Sequence, residues 1–130
     1  MIKWSDANIL KKLNNPTNEA YEAKIQAPEI TFIGADKQPD FATANITFYP
    51  DKSVIELKSL KQYFYQFRNT HISYERITNT IYDDLMHIYS PKRIRLVMNF
   101  NVRGGITSQL TIDSDWKVRG GKEEFNDWSK

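Results

Sequence analysis

The chain has 130 residues, of which 40% are hydrophobic and 26% charged, with a formal net charge of +2. This length fits a single domain with a buried core. So small a net charge gives no reason to expect a nucleic acid or a membrane surface as a partner. Because the sequence contains no cysteine, disulfides, thiolate metal sites and a cysteine nucleophile are excluded, and its two histidines lack the spaced partners of a zinc site. No apolar run reaches the roughly 18 residues of a membrane span, and the start, MIKWSDANILKK, lacks a signal-peptide core, so we expect the cytoplasm by default.

Residues 1–28 are predicted to form an irregular or weakly helical arm. The stretch SDANILKKL favours a short helix capped by Ser5 or Asp6, and NNPTN would end it. We therefore expect the folded domain to begin near residue 29.

The first strand pattern lies at residues 41–49. In FATANITFY, alternate residues belong to opposite faces, which predicts a half-buried strand. PDKS follows as a turn, and VIEL at 54–57 is predicted to return as the second strand of a hairpin.

Two helical patterns come next. Apolar residues at helical spacing predict one helix that ends near Asn69 and a second that runs from about Ser73 to Ile88, where Ser90 and Pro91 terminate it. The apolar stripe of the first helix contains Leu60, Tyr63, Phe64 and Phe67, and that of the second contains Ile77, Ile81, Leu85 and Ile88.

A second hairpin follows the helices. RIRLVMNFNV alternates like a strand, Gly104 and Gly105 favour a tight turn, and ITSQLTID completes the pair. Residues 117–130 are polar and predicted to form a loosely ended tail, which Trp116, Phe125 and Trp128 could hold against the body.

This order of elements predicts an α+β fold. Two hairpins that bracket a helical pair (ββααββ) favour one four-stranded antiparallel sheet over residues 29–116, with both helices on a single face. Such a sheet leaves its other face and its edges unprotected, so we expect a homo-oligomer in which sheets join edge to edge into barrel rings.

Two lysines occupy an unusual position at the start of the first helix. Lys58 and Lys61 lie near its positive end, where the helix dipole disfavours cations by roughly 0.3–1 kcal/mol each. Either they form an ordinary solvated helix face, or a negatively charged ligand docks there.

Four segments together resemble the NADPH-dependent 7-cyano-7-deazaguanine reductases of the short, single-domain type, which belong to the tunnelling-fold superfamily. They are QPDFA at 38–42, IELKSLKQYFYQFRN at 55–69, YERITNTIYDDL at 74–85 and RGGI at 103–106. ELKSLK matches the motif E-(S/L)-K-(S/A)-x-K that is distinctive for that family. The resemblance extends from about Leu13 to about Ile112 and implies pentameric rings or decamers with sites between subunits.

The resemblance also implies roles for individual residues. Contacts to the deazapurine fall on Ile55, Glu56, Leu57, Tyr74 and Glu75, where Tyr74 replaces the usual histidine and Glu75 grips the base edge. Positions associated with the phosphates of NADPH are Lys58, Ser59, Lys61 and Arg103. Asp40 falls on the catalytic acid. Without the resemblance, Asp40 would be a turn or strand-start residue and Glu75 a favourable charge in the first turn of a helix.

The chain departs from the family at the nucleophile. In the family a cysteine seven residues before the aspartate adds to the nitrile and forms a thioimide that hydride reduces. Counting back from Asp40 gives Ile33, whereas counting forward from Pro28 and Glu29 gives Gly34 and implies a one-residue deletion. Neither residue is a nucleophile. Ser59 and Thr31 do not match the cysteine's position.

Three hypotheses about function remain. The first is NADPH-dependent nitrile reduction or a related reaction on a 7-deazaguanine, by a route that needs no cysteine. The second is a binding module that holds a deazapurine or pteridine-like base without turnover, and the third is a purely structural oligomer. None of them requires a nucleic acid, a membrane or a metal as partner.

Overall fold

The computed structural model describes residues 3–125 of the chain. Six strands and two α-helices follow in the order β1 (Lys12–Asn14), β2 (Ala23–Ile33), β3 (Pro39–Tyr49), β4 (Ser53–Ile55), α1 (Leu57–Tyr65), α2 (Tyr74–Tyr89), β5 (Arg93–Arg103) and β6 (Ile106–Asp113). Short 3₁₀ helices lie at Ala7–Ile9, Gln66–Asn69 and Lys117–Arg119. None of the described helices is long and apolar enough to cross a membrane.

The main sheet is antiparallel and has the strand order β2-β3-β5-β6. One face carries the buried apolar side chains of the strands, which share a single core with those of α1 and α2. On β3 this face consists of Ala42, Ala44, Ile46 and Phe48, as the alternation predicts. The predicted α+β class, with a four-stranded sheet and two helices packed on it, is therefore confirmed.

The predicted partner of β3 is wrong. Strand β4 is only three residues long and pairs with β1 in a separate two-stranded sheet. In the main sheet β3 lies between β2 and β5. Its hairpin partner is β2, which begins in the segment predicted to be an irregular arm. The first hairpin of the sheet therefore comes before residues 41–49 and not after them.

A β-bulge explains why the sequence pattern of β2 was missed. The pairing advances two residues on β3, from Ala44 to Ala42, while β2 advances three, from Ala27 to Ile30. The extra residue shifts the inward-facing set by one position, so that regular alternation is lost. Pro28 lies in this bulge, and β2 is an outer strand of the sheet, where proline is tolerated.

Side-chain caps define where both α-helices begin. The Glu56 carboxylate accepts a 2.7 Å hydrogen bond from the Ser59 amide at the start of α1, and Ser73 Oγ accepts one from the Arg76 amide at the start of α2. Glu56 thus supplies a negative charge at the helix end that carries Lys58 and Lys61. The second helix ends at Ser90, whose φ of 43° is left-handed.

The segments outside the sheet are held to its body. Near the N-terminus, Asp6 caps the first 3₁₀ helix and Tyr89 Oη donates to the Lys11 carbonyl. After β6, the rings of Trp116 and Phe125 lie 4.9 Å apart, and Arg119 donates to the Asn79 side chain on α2. Trp128 lies outside the described residues.

Candidate functional site

The tight turn between β2 and β3 sets the geometry of the site. The Gly34 amide donates to the Gln38 carbonyl at 2.9 Å, and the Lys37 amide donates to the Gly34 carbonyl at 3.1 Å. Lys37 takes a left-handed conformation with φ of 61°. This three-residue loop with a left-handed last residue is a common hairpin connection, and it brings Asp40 back against the end of β2.

Gly34 lies directly against the Asp40 carboxylate. A Cβ atom added to Gly34 would lie 1.9 Å from Asp40 Oδ2, far inside contact distance. The carboxylate therefore occupies the volume of the side chain that position 34 lacks. Of the two positions compatible with the missing cysteine, Gly34 is the one packed on the aspartate, while the amide and carbonyl of Ile33 bond to the backbone at Thr70 and Ile72.

Arg103, at the end of β5, holds the other side of the Asp40 carboxylate. Its Nε donates to Asp40 Oδ1 at 2.6 Å, and its Nη2 donates to the Pro39 carbonyl at 2.7 Å. The hydrogen bond to Asp40 raises the pKa of the Arg103 guanidinium. Charge-assisted bonds from a planar guanidinium fix both partners in orientation, so Asp40 is ion-paired on one oxygen and buried against glycine on the other.

These residues surround a cavity of about 210 Å³, to which the start of α2 contributes Ser73 and Tyr74. The Tyr74 ring stacks on Phe100, with centroids 4.1 Å apart and planes inclined by 3°, and meets the edge of Phe32 at 5.7 Å. Aromatic packing thus fixes the orientation of the Tyr74 ring. The volume is below the roughly 300–1,000 Å³ of pockets that enclose whole drug-sized ligands.

The other predicted site residues lie around the start of α1. Lys61 and Leu57 line a groove of about 610 Å³ between β2 and α1. Lys58 is exposed, and neither lysine pairs with an acid between residues 3 and 125. Arg103, predicted to act with the two lysines, lines the Asp40 cavity instead.

Three predicted residues already have structural partners. Ile55 is buried in the core, Glu56 caps α1, and the buried Ser59 hydroxyl accepts from the Lys11 amide at 2.9 Å and donates to the Glu56 carbonyl at 2.7 Å. Glu75, in the first turn of α2, is exposed and follows Tyr74 directly. The roles that the resemblance implies for these residues stay predictions.

The sequence reading did not identify Asp36 and Ser73 as lining residues of the cavity. Asp36 belongs to the turn just before QPDFA, and Ser73 is the cap just before YERI. Turn acids and helix caps have ordinary structural explanations, so the only available signal was that both adjoin matching segments.

Comparison with known proteins identifies the family. The model of a family described as QueF-like protein matches residues 39–119. Relatives named NADPH-dependent 7-cyano-7-deazaguanine reductase include a protein of Chlorobaculum parvum, 48% identical over 100 residues that cover 76% of this chain and 86% of the relative. The chain belongs to the QueF-like family. Another such relative, from Thermomicrobium roseum, is 41% identical over 113 residues. The matched region covers 85% of this chain and 88% of the relative.

The fold of this QueF-like chain also occurs in a solved structure. The crystal structure titled archaeosine synthase QueF-Like in the apo form superposes with a TM-score of 0.66 at 11% sequence identity. The match covers 71% of this chain and 91% of the other. At such low identity the likeness concerns the fold alone.

Proposed function

We propose that this QueF-like protein binds 7-cyano-7-deazaguanine or a related 7-deazapurine and acts in 7-deazaguanine metabolism of the queuosine type. The observation that carries the proposal is the 48% identity to a reductase named for that base. Further support comes from the cavity, where Asp40, Tyr74 and Arg103 converge at the start of α2. Glu75 is exposed and directly follows the lining residue Tyr74 in the sequence, and its carboxylate can accept hydrogen bonds from a ring N–H and an exocyclic amine.

The chemistry of the cavity favours binding over covalent reduction. A thioimide cannot form because the chain has no cysteine and the residue packed on Asp40 is a glycine. The Asp40 carboxylate is ion-paired with Arg103. We infer that any reduction by this protein follows a cysteine-independent route, and that binding without turnover is the better-supported alternative.

NADPH is the cofactor to expect from the names of the relatives. The exposed ammonium groups of Lys58 and Lys61 fit the phosphates of that molecule. Ser59 and Arg103 fit less well, since the Ser59 hydroxyl bonds to Lys11 and Glu56 and Arg103 is engaged by Asp40 and Pro39. When bound, NADPH would supply hydride, while the residues of this chain would hold and orient the base.

A homo-oligomeric ring remains part of the proposal. Apart from the bonds of Ile33 to Thr70 and Ile72, the outer strands β2 and β6 present edges that the described chain does not pair. The 210 Å³ cavity is also small for a complete site. A neighbouring copy that joins along these edges would enlarge it. Sedimentation at micromolar concentration tests this, and a monomer would contradict it.

Calorimetric titration with 7-cyano-7-deazaguanine tests the proposed function directly. We expect saturable binding that Glu75→Ala weakens by about tenfold or more, because the bidentate contact is lost. Glu124→Ala, a change of another exposed glutamate, serves as the matched control and should leave affinity unchanged.

A parallel assay follows loss of NADPH absorbance in the presence of the nitrile. Turnover above a heat-treated control would establish the cysteine-independent reduction, and its absence together with binding would establish the binding module. No binding at all would refute the proposal.

A further inference from the structure

The groove between β2 and α1 is large and open within the part of the chain that the structure describes. Its volume of about 610 Å³ lies within the roughly 300–1,000 Å³ of pockets that hold a ligand. Two large apolar side chains on its α1 wall, Leu57 and Tyr65, are each 60% exposed. Apolar side chains left open to water in a groove are typical of an interaction surface.

The charges of the groove are mainly positive. Lys61 and Arg68 line it, against one acid, Glu29. Neither cation forms an ion pair with an acid among residues 3–125, and the Arg68 guanidinium lies over the Tyr65 ring, 4.5 Å from its centroid. An occupant that carries both acids and apolar rings would complement this surface.

The chain itself contains such a segment after β6. The stretch EEFNDW at 123–128 has three acids, two aromatic residues and no cation. Phe125 is 65% exposed although its ring rests on Trp116, so much of its apolar surface is available to a partner. The stretch lies beyond residues 39–119, which the family model matches. Nothing in the matched region therefore accounts for it.

The strand register shows where this segment leaves the sheet. The register runs from Asp113, at the end of β6, across β5 and β3 to Lys24, near the start of β2. The end of β6 and the start of β2 therefore lie at the same end of the sheet. The segment after β6 lies on the side that carries the helices, since Arg119 donates to Asn79 on α2. The groove, which α1 borders, lies on that side too.

We propose that residues 123–128 of one copy occupy the β2–α1 groove of a neighbouring copy. When β6 joins the next β2 in antiparallel fashion, the chain that leaves β6 emerges beside the start of that strand, where Ile25 lines the groove. The acids face the two cations, and the aromatic rings cover the exposed apolar side chains. This inference rests on the ring in the proposed function. Lys58 does not line the groove and stays available to the phosphates of NADPH.

The groove of the same chain is out of reach of this segment. Strands β6 and β2 are three strand spacings apart, which is roughly 14 Å. Both helices also stand between them, since α1 packs on β2 and α2 packs on β5 and β6. From Phe125, the three residues to Trp128 span at most about 11 Å. The occupant of each groove must therefore come from another copy.

Disulfide crosslinking tests the proposal, because the chain has no cysteine of its own. The test variant carries Asn126→Cys and Leu57→Cys, which keep the acids, the aromatic residues and the cations. Mild oxidation at micromolar concentration should link copies to one another about tenfold faster than in a control pair, because docking raises the effective concentration of the two thiols. Non-reducing electrophoresis measures the linked species.

The control pair combines Asn126→Cys with Gly105→Cys. Gly105 immediately precedes β6, at the opposite end of that strand from Asp113, and a Cβ added there meets nothing within 4 Å. The second thiol is thus equally open to solvent but distant from the proposed contact.

Charge reversal tests the role of the acids. In the Asn126→Cys and Leu57→Cys background, Asp127→Lys should slow crosslinking by about fivefold or more, because a cation then faces the cations of the groove. Adding Lys61→Glu should restore the rate. A rate that neither change alters would overturn the inference.

The outcomes separate this inference from the proposed function. A ring in sedimentation whose crosslinking does not exceed that of the control pair would overturn the inference and leave the ring and base binding standing. A disulfide formed within one chain would also overturn it. A monomer in sedimentation would overturn the inference together with the ring, whereas calorimetry measures base binding separately. If Leu57→Cys proves unfolded by circular dichroism, Tyr65→Cys replaces it, and failure to crosslink there would equally refute the inference.

Discussion

Two arginine–aspartate pairs lie at opposite ends of β5 and differ in how completely each carboxylate is bonded. At the start of the strand, the buried Asp113 accepts from Arg93 Nε and Nη2 at 3.2 and 2.9 Å, from Arg95 Nη1 at 3.0 Å and from the Asp115 amide at 2.9 Å. At its end, Asp40 has one arginine on one oxygen and none on the other. The first pair joins β5 to β6 and the loop that follows β6, while both residues of the second pair line a cavity.

The comparison separates a structural ion pair from a candidate binding group. Burial alone would raise the pKa of Asp113, but the hydrogen bonds from Arg93, the Asp115 amide and Arg95 outweigh it and lower the pKa below the usual value. Every acceptor position there is filled from within the chain, so no ligand is needed. At Asp40 the protein supplies only part of the bonding. Incomplete bonding of a nearly buried carboxylate is thus the better guide to function.

The largest expected effect is the gain of a covalent reaction with the nitrile at the end of β5 where Asp40 lies. Gly34→Cys would place a thiol beside Asp40, where it can add to the carbon of a bound nitrile and transfer its proton to nitrogen, giving a thioimide. Intact-mass spectrometry after incubation with 7-cyano-7-deazaguanine should then show a covalent adduct. The unaltered protein should show none.

The matched control for this experiment is Gly105→Cys, which adds a thiol where a new Cβ meets nothing within 4 Å. It should form no adduct. Equal labelling of both variants would mean that Gly34 does not lie beside the bound nitrile.

At the other end, Asp113→Asn should cause the largest loss of stability. The change removes the carboxylate shared by Arg93 and Arg95, whose side chains are 26% and 10% exposed, and we expect a cost of about 3 kcal/mol in the free energy of unfolding. Urea denaturation measures it. Asp40→Asn should cost clearly less, because Arg103 is 40% exposed, and the reverse order would break the comparison.

A smaller effect is expected in acid. The folded-state pKa of Asp113 is lowered, so the unfolded chain binds the proton more readily and stability falls as the pH falls. The contribution of the Asp113 carboxylate to stability is complete above the ordinary aspartate pKa of about 3.9. It is lost as the pH drops through the pKa that Asp113 has in the folded state. Unfolding curves recorded across this range should show a shallower acid decline for Asp113→Asn than for the Asp51→Asn control.

The smallest effect is expected for a conservative change of the exposed arginine. Arg103→Lys keeps the charge but loses the planar fork, and because the ion pair is partly solvated we expect no measurable shift of the unfolding midpoint. Arg95→Lys, at the buried pair, should lower the midpoint. Similar shifts for both would show that the two pairs are equally structural.

The fold was predictable from sequence wherever one local rule governed a segment. Strand β3, both helices and the hairpin at Gly104 and Gly105 follow from alternation, helical spacing and turn chemistry, and the structure gives both glycines a positive φ. Strand β2 was missed because its bulge at Pro28 breaks the alternation. VIEL was misread because Glu56 ends the strand by capping α1.

The candidate site was only partly predictable. The motifs identified Asp40, Tyr74 and Arg103 as candidate site residues. That they lie around one cavity depends on how three distant segments pack and is a tertiary property. Sequence alone left Ile33 and Gly34 as equal alternatives. Only the packing of Gly34 on the Asp40 carboxylate distinguishes them, because the sequence alone does not give the distance between these two residues.

The bulge at Pro28 also bears on how copies of this protein can associate. Proline has no amide hydrogen, and the bulge interrupts the row of hydrogen-bond donors along β2. A second chain could therefore pair continuously only with the part of β2 that precedes Pro28 or with the part that follows it. Strand β6, at the far side of the sheet, has no proline within it. The two edges of the sheet therefore differ in the length over which each can accept a further strand.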